Sequence, residues 1–232
     1  MAKINLREIE KKKLIHSVWF PLLFLALLWL IKGYEVYSLN SLSHLGLYPL
    51  KAKGLWGILT APLIHSNWQH LINNSIAIFF LTWAVFYFYS EVAWKVFAMT
   101  WFMNGFWLWF FGRQSYHIGA SGLIYGFGAF LFLSGLIRRN RSLLAIALLD
   151  AFLYGSLIWG IFPMEENVSW ESHLTGLLAG IVLSVYYRQY GPPANIFVKP
   201  QFEEEEEEEE DDPDDENPYW IVRDENGNII TP

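Results

Sequence analysis

Apolar residues along this chain fall into six long runs, near residues 14–32, 68–90, 94–112, 121–137, 142–160 and 172–188. A bilayer with a hydrocarbon core of ~30 Å is crossed by roughly 20 apolar residues in a helix. Each run approaches that length, so the pattern predicts an all-α membrane protein built as a bundle of six transmembrane helices. The first run follows Lys11, Lys12 and Lys13 as a signal peptide would. It is too long for one and lacks a small-residue cleavage site, so it is read as a retained helix. Between the first and second runs lies a loop of 35 residues, Gly33 to Asn67, rich in Leu, Tyr and Trp. Loops of that length are usually functional. This one is expected to be a partly helical insertion at the membrane interface, with Tyr37, Tyr48 and Trp56 at headgroup level.

Composition agrees with the pattern. Of 232 residues, 53% are hydrophobic and only 17% charged, more apolar material than one soluble core of this length needs. The net charge of −7 hides a division. Residues 1–190 carry 14 Lys/Arg against 8 Asp/Glu, whereas residues 191–232 carry 2 against 15. Placing the N-terminus inside puts ten basic residues of the body on the cytoplasmic side, among them Lys95, Arg138, Arg139, Arg141 and Arg188. Lys32, Lys51, Lys53 and Arg113 fall outside. That asymmetry supports an even number of spans with both termini cytoplasmic. Three regions result: a basic N-terminus over 1–13, a membrane domain over 14–190, and an acidic tail over 191–232. From Glu203 to Glu216 the tail is acidic at every position but Pro213. Such a block self-repels and is expected to be disordered. A small hairpin is expected between Tyr219 and Ile230 through the Asn226-Gly227 turn. The tail is read as a solvated segment, with a basic cytoplasmic partner or loosely bound divalent ions as the alternatives. Without cysteine there is no thiol nucleophile or Cys-based zinc site. No basic patch interleaves with exposed aromatics, which argues against nucleic acid.

Candidate chemistry sits at the ends of the runs. Ser121, within Gly119-Ala120-Ser121-Gly122, opens the fourth predicted helix. His173, within Ser172-His173-Leu174-Thr175-Gly176, lies near the start of the sixth. From the Arg138 cluster, 17 residues rise about 25 Å to Ser121, which leaves the serine ~5 Å below the outer edge of the hydrocarbon core. Small residues let membrane helices approach closely. Gly122, Gly126 and Ala129 on one helix, with Gly176, Ala179 and Gly180 on the other, would bring serine and histidine together. A serine hydroxyl needs a base to take its proton, and neutral imidazole has a suitable pKa. The oxyanion formed on attack needs preorganised donors. His70 and Asn74, four residues apart on the second helix, share a face and are candidates, whereas Asn73 points about 100° away from Asn74.

These three motifs, His70-x-x-x-Asn74, Gly119-x-Ser121-Gly122 and His173-x-x-Gly176 with Gly180 following, resemble those of the rhomboid intramembrane serine proteases. The resemblance covers roughly residues 14–190. It implies that Ser121 is the nucleophile and His173 the general base and acid. It further implies an oxyanion hole of His70, Asn74 and the Ser121 N–H, with Tyr125 stacked on the histidine to orient it. The first loop resembles the family's membrane-embedded loop, although Leu55-Trp56-Gly57 departs from the Trp-Arg pair of many members. The implied reaction hydrolyses a peptide bond in or near the helix of a single-pass transmembrane substrate, with no cofactor, in the plasma membrane. Phe152, Trp159 and Phe162 on the fifth helix, with the first loop, are expected to gate entry. A non-catalytic relative that escorts membrane clients, and a six-helix transporter, are the alternatives. His65 is read as structural and His117 as a loop residue. His65 and His70 lack a suitably spaced third ligand for zinc, so no metal is expected. Asp150 is read as a structural hydrogen-bonding acid, and Glu171 as a modulator near His173 in a site that works as a dyad.

Overall fold

The computed structural model describes residues 6–154, 159–164 and 168–194, with two short strands near the C-terminus. The chain separates into two units, Met1–Asn195 and Ile196–Pro232. In the second, β1 (Val222–Arg223) pairs antiparallel with β2 (Ile229–Ile230), Val222 opposite Ile230 and Arg223 opposite Ile229. The intervening turn and the acidic block Glu203 to Glu216 lie outside the described residues.

The first unit is helical: α1 (Leu6–Ser38), α2 (Gly57–Thr60), α3 (Trp68–Phe88), α4 (Ala93–Phe111), α5 (Ser121–Arg138), α6 (Arg141–Tyr154) and α7 (Trp170–Tyr186). Apart from the four-residue α2, each of these described helices overlaps one of the predicted runs. On length and composition alone, α1, α3 and α5 can cross a membrane. The helices α6 and α7 have 14 and 17 residues, and α4 carries Lys95 and Asn104.

Two boundaries differ from the sequence reading. Helix α1 extends beyond 14–32 at both ends, so the first loop begins at Leu39 and Tyr37 belongs to the helix. The C-terminal extension follows from Lys32 and Glu35, which meet one turn apart at 2.8 Å and neutralise each other inside the protein. Helix α6 is described from Arg141 to Tyr154, and Trp159–Ile161, at the end of the expected 142–160 helix, is a 3-10 turn. The side chains of Asp150, Phe152 and Trp159, and the expectations attached to them, lie outside the described residues.

Helix α5 is central, packing on α7, α6 and α3. Every residue from Ser121 to Phe127 is buried. Its closest neighbour is α7, and small residues set the spacing: a Cβ on Gly176 would strike the carbonyl oxygen of Gly122, and one on Gly180 that of Gly126. Around this pair α1, α3, α4 and α5 interlock through aromatic rings. Phe20 of α1 lies 4.7 Å from Phe86, 4.4 Å from Trp94 and 4.8 Å from Phe97, ring centre to ring centre. Phe97 in turn stacks on Phe127 of α5 at 5.7 Å. Such pairs add to the burial of their large apolar area.

At the far end of α5, Arg138 gathers three carbonyls of the segment after α7: Pro192 at 2.5 Å, Arg188 at 2.8 Å and Gly191 at 3.1 Å. Asn140 adds Pro193 at 2.8 Å. A guanidinium with five N–H donors suits that role. At the opposite end, the first loop is a string of short helical turns fastened to the body. Leu47 and His117 exchange two backbone hydrogen bonds, at 3.0 and 2.8 Å. The Trp101 indole donates to Ile58 O at 2.8 Å, and Gly119 N–H donates to Ala61 O at 2.9 Å. Gly57, within the sequence that departs from the Trp-Arg pair, lies so close to the Leu47 backbone that a Cβ would not fit. Trp56 is exposed, and Tyr48 is half-buried against Tyr116.

Candidate active site

Ser121 is the first residue of α5, and the turn that delivers it depends on Gly119. That glycine has φ +112, a conformation open to glycine and strained for other residues. A Cβ there would also lie 2.7 Å from the His70 imidazole. Ser121 is 6% exposed and His173 8%. The small-residue contact between α5 and α7 brings His173 Nε2 to 2.8 Å from Ser121 Oγ.

The orientation of His173 is fixed from two further sides. Its Nδ1 lies 2.7 Å from the carbonyl oxygen of Gly160, in the 3-10 turn after α6. A carbonyl only accepts, so Nδ1 carries the proton and Nε2 presents a lone pair to the Ser121 hydroxyl. Tyr125, one turn along α5, stacks on the imidazole with centroids 4.2 Å apart and planes 10° from parallel. Gly160 can be nothing larger, because a Cβ would strike the Tyr125 hydroxyl and lie 3.0 Å from His173 Nδ1. Gly160 was not legible in the sequence, since its contribution is a main-chain oxygen.

Helix α3 supplies the other side of the pocket. Asn67 caps it, its Oδ1 accepting the His70 N–H at 2.8 Å. From that start, His70 and Asn74 both face the Gly119 turn. His70 Nε2 lies 2.8 Å and Asn74 Nδ2 3.6 Å from the place a Gly119 Cβ would occupy. Asn73, exposed, takes a hydrogen bond from Gln69 at 2.7 Å and is turned away from them. Behind Ser121, Asn104 of α4 accepts from Thr175 Oγ1 at 2.7 Å and approaches Ser172 Oγ at 3.5 Å, joining α4 to α7 beneath the site.

Three residues hold the surroundings in ways their sequence positions do not announce. His65 precedes α3 and is 1% exposed. Its Nε2 accepts from the Ala120 N–H at 3.4 Å, and its ring meets that of His70 edge to face at 5.0 Å. It buttresses both the serine turn and His70. Burial, with His70 beside it, pushes the His65 pKa down to about 3. His117 is more than a loop residue: its ring reaches Ser169 Oγ at 2.5 Å and the Arg113 carbonyl at 3.0 Å. Burial lowers its pKa, against opposing contributions from that carbonyl and from Glu171. Glu171 is 4% exposed and turns to Arg113, accepting its N–H at 3.3 Å and facing its Nε at 3.6 Å. The residue hydrogen-bonded to His173 Nδ1 is Gly160, not Glu171.

Residues 52–190 match the Rhomboid domain family model, a stretch that contains both sides of the pocket. An uncharacterized protein of Mycobacterium bovis and one of Mycobacterium tuberculosis are each 38% identical over 69% of this chain and 71% of their own length. A Bacillus subtilis protein, provisionally named rhomboid protease YdcA, is 30% identical over 56% of this chain and 65% of its own. A domain match spanning more than half the chain, over the helices that assemble this pocket, makes it an integral membrane protein of the rhomboid family.

Proposed function

We propose that the protein is an intramembrane serine endopeptidase that cleaves single-pass transmembrane proteins through a Ser121–His173 dyad. The observation that carries this reading is the 2.8 Å approach of His173 Nε2 to Ser121 Oγ, with the imidazole locked by Gly160 O and Tyr125 in the tautomer a general base requires. In that reaction Ser121 Oγ bonds to the substrate carbonyl carbon while its proton passes to His173 Nε2. The carbonyl oxygen becomes an oxyanion, held by His70 Nε2–H, Asn74 Nδ2–H and the Ser121 N–H. The last is one of the first N–H groups of α5, for which the helix itself provides no acceptor. Collapse breaks the C–N bond, and the leaving amine takes the proton from His173. Water then attacks the acyl-enzyme with His173 again as base, releasing the acid and restoring Ser121.

A substrate helix keeps its carbonyls in hydrogen bonds, so the cleaved segment has to unwind. Small, helix-breaking residues near the end of the substrate helix are therefore favoured. The proposed setting is the plasma membrane, with six spans, both termini cytoplasmic and the pocket toward the outer face. The positive-charge asymmetry supports that orientation. In purified protein, a serine-directed fluorophosphonate labels the wild type and not Ser121→Ala, and a reporter transmembrane substrate is cleaved only by the wild type. Folded wild type that neither labels nor cleaves rejects the protease and leaves a client-binding relative.

A further inference from the structure

Lys32 sits near the end of α1 and is 6% exposed, and its neighbour Glu35 is 8% exposed. An ammonium taken from water is costly unless each of its three N–H groups finds an acceptor. Here all three do: Glu35 Oε2 at 2.8 Å, His65 O at 3.0 Å and Ser66 O at 3.1 Å. Two of these are consecutive carbonyls of the segment that leads into α3. The other carboxylate oxygen of Glu35 accepts the Leu42 N–H at 3.0 Å, so the same pair anchors the start of the first loop.

The held segment connects directly to His70. While Lys32 fixes the Ser66 carbonyl, the Ser66 hydroxyl lies 3.2 Å from His70 Nδ1. A neutral imidazole has one N–H and one lone pair. A serine hydroxyl can donate or accept; when it donates to Nδ1, the ring proton is on Nε2, the nitrogen that faces the Gly119 turn. The opposite tautomer would turn a lone pair toward a developing negative charge.

We propose that Lys32 and Ser66 are positioning residues for His70: the ammonium fixes the Ser66 backbone, and the Ser66 hydroxyl selects the Nε2–H tautomer that donates to the oxyanion. The role of that donor rests on the protease reading above; the tautomer does not. Neither residue belongs to the three motifs, and Lys32 lies outside the matched domain, which starts at residue 52.

Two measurements test the proposal. In 15N-labelled protein in micelles, His70 is the Nε2–H tautomer in the wild type, and Ser66→Ala admits the Nδ1–H form. An unchanged tautomer in Ser66→Ala overturns the proposal, whether or not the protein cleaves anything. With a reporter transmembrane substrate, Ser66→Ala lowers kcat about fivefold, the worth of one neutral hydrogen bond, with KM unchanged. Ser66→Thr, which keeps the hydroxyl, restores it. Lys32→Met alone strands Glu35, so the companion variant is Lys32→Met/Glu35→Gln, which removes both charges and keeps an acceptor for Leu42. Its melting temperature is expected near the wild type with kcat lowered. Wild-type kcat in this variant, or a loss of kcat only in step with a lost melting temperature, overturns the part assigned to Lys32. Absence of Ser121-dependent cleavage in the wild type would count against the proposed function alone and leave the tautomer measurement to decide.

Discussion

Tyr125 and Gly160 compete for one small space beside His173. The tyrosine ring supplies the flat wall for the imidazole, and the glycine brings a carbonyl to Nδ1 only because it has no side chain to meet the tyrosine hydroxyl. Gly160→Ala is therefore expected to lower kcat about tenfold or more by displacing the imidazole from bonding distance of Ser121. Tyr125→Phe in that background removes the atom the new methyl strikes first and recovers part of the loss. Tyr125→Phe alone keeps the stack and stays near the wild-type rate, whereas Tyr125→Leu does not. Reporter cleavage in proteoliposomes measures all four. Equal rates for Tyr125→Leu and the wild type would remove the stack from the account. Ser121, His173, His70 and Asn74, the residues proposed for the reaction, could be singled out from the sequence because each occupies a motif whose chemistry the residue type announces. His65, His117 and Gly160 could not, because each acts through contacts across 13 or more residues that no local pattern encodes.

At the scale of elements, the decisive contact is the seam between α5 and α7. Gly176 against the Gly122 carbonyl, and Gly180 against that of Gly126, set the depth at which one helix sits in the other. Gly176→Val has no space to enter and is expected to destabilise by about 1–3 kcal/mol, the usual range for overpacking. It should also part Ser121 from His173, so activity falls further than the melting temperature alone would account for. Retained cleavage in Gly176→Val would show that the seam tolerates separation. Helix starts were well placed from sequence where a cap or a glycine turn punctuates the chain, as Asn67 does before α3 and Gly119 before α5. Ends of α1 and α6 were not. Apolar run length underestimates a helix whose buried charges neutralise each other, as Lys32 and Glu35 do, and does not distinguish an α-helix from the 3-10 turn Trp159–Ile161 at the end of the fifth run.

At the scale of the molecule, the loops around the pocket are joined by neutral buried imidazoles. His65 and His117 both have pKa values pushed down by burial, His65 to about 3. In the unfolded chain both return to about 6.5. Below that pH the unfolded state binds protons that the folded state refuses. The stabilisation is therefore complete above about pH 6.5 and declines as pH falls toward the folded values. Thermal unfolding in detergent from pH 7.5 down to 4.5 should show a falling melting temperature, with a shallower slope in His117→Gln. A flat profile in the wild type would contradict the neutral, buried assignment.

The orienting partner of His173 is a main-chain oxygen, and this alters what genetics can see. An alanine scan has no side chain to delete there: alanine at 160 adds a methyl that crowds the site and leaves the carbonyl in place. Codon changes at residue 160 can crowd that oxygen but never erase it. Its contribution is reached instead by backbone chemistry: an ester in place of the amide between Gly160 and Ile161 weakens the acceptor while leaving every side chain as it was.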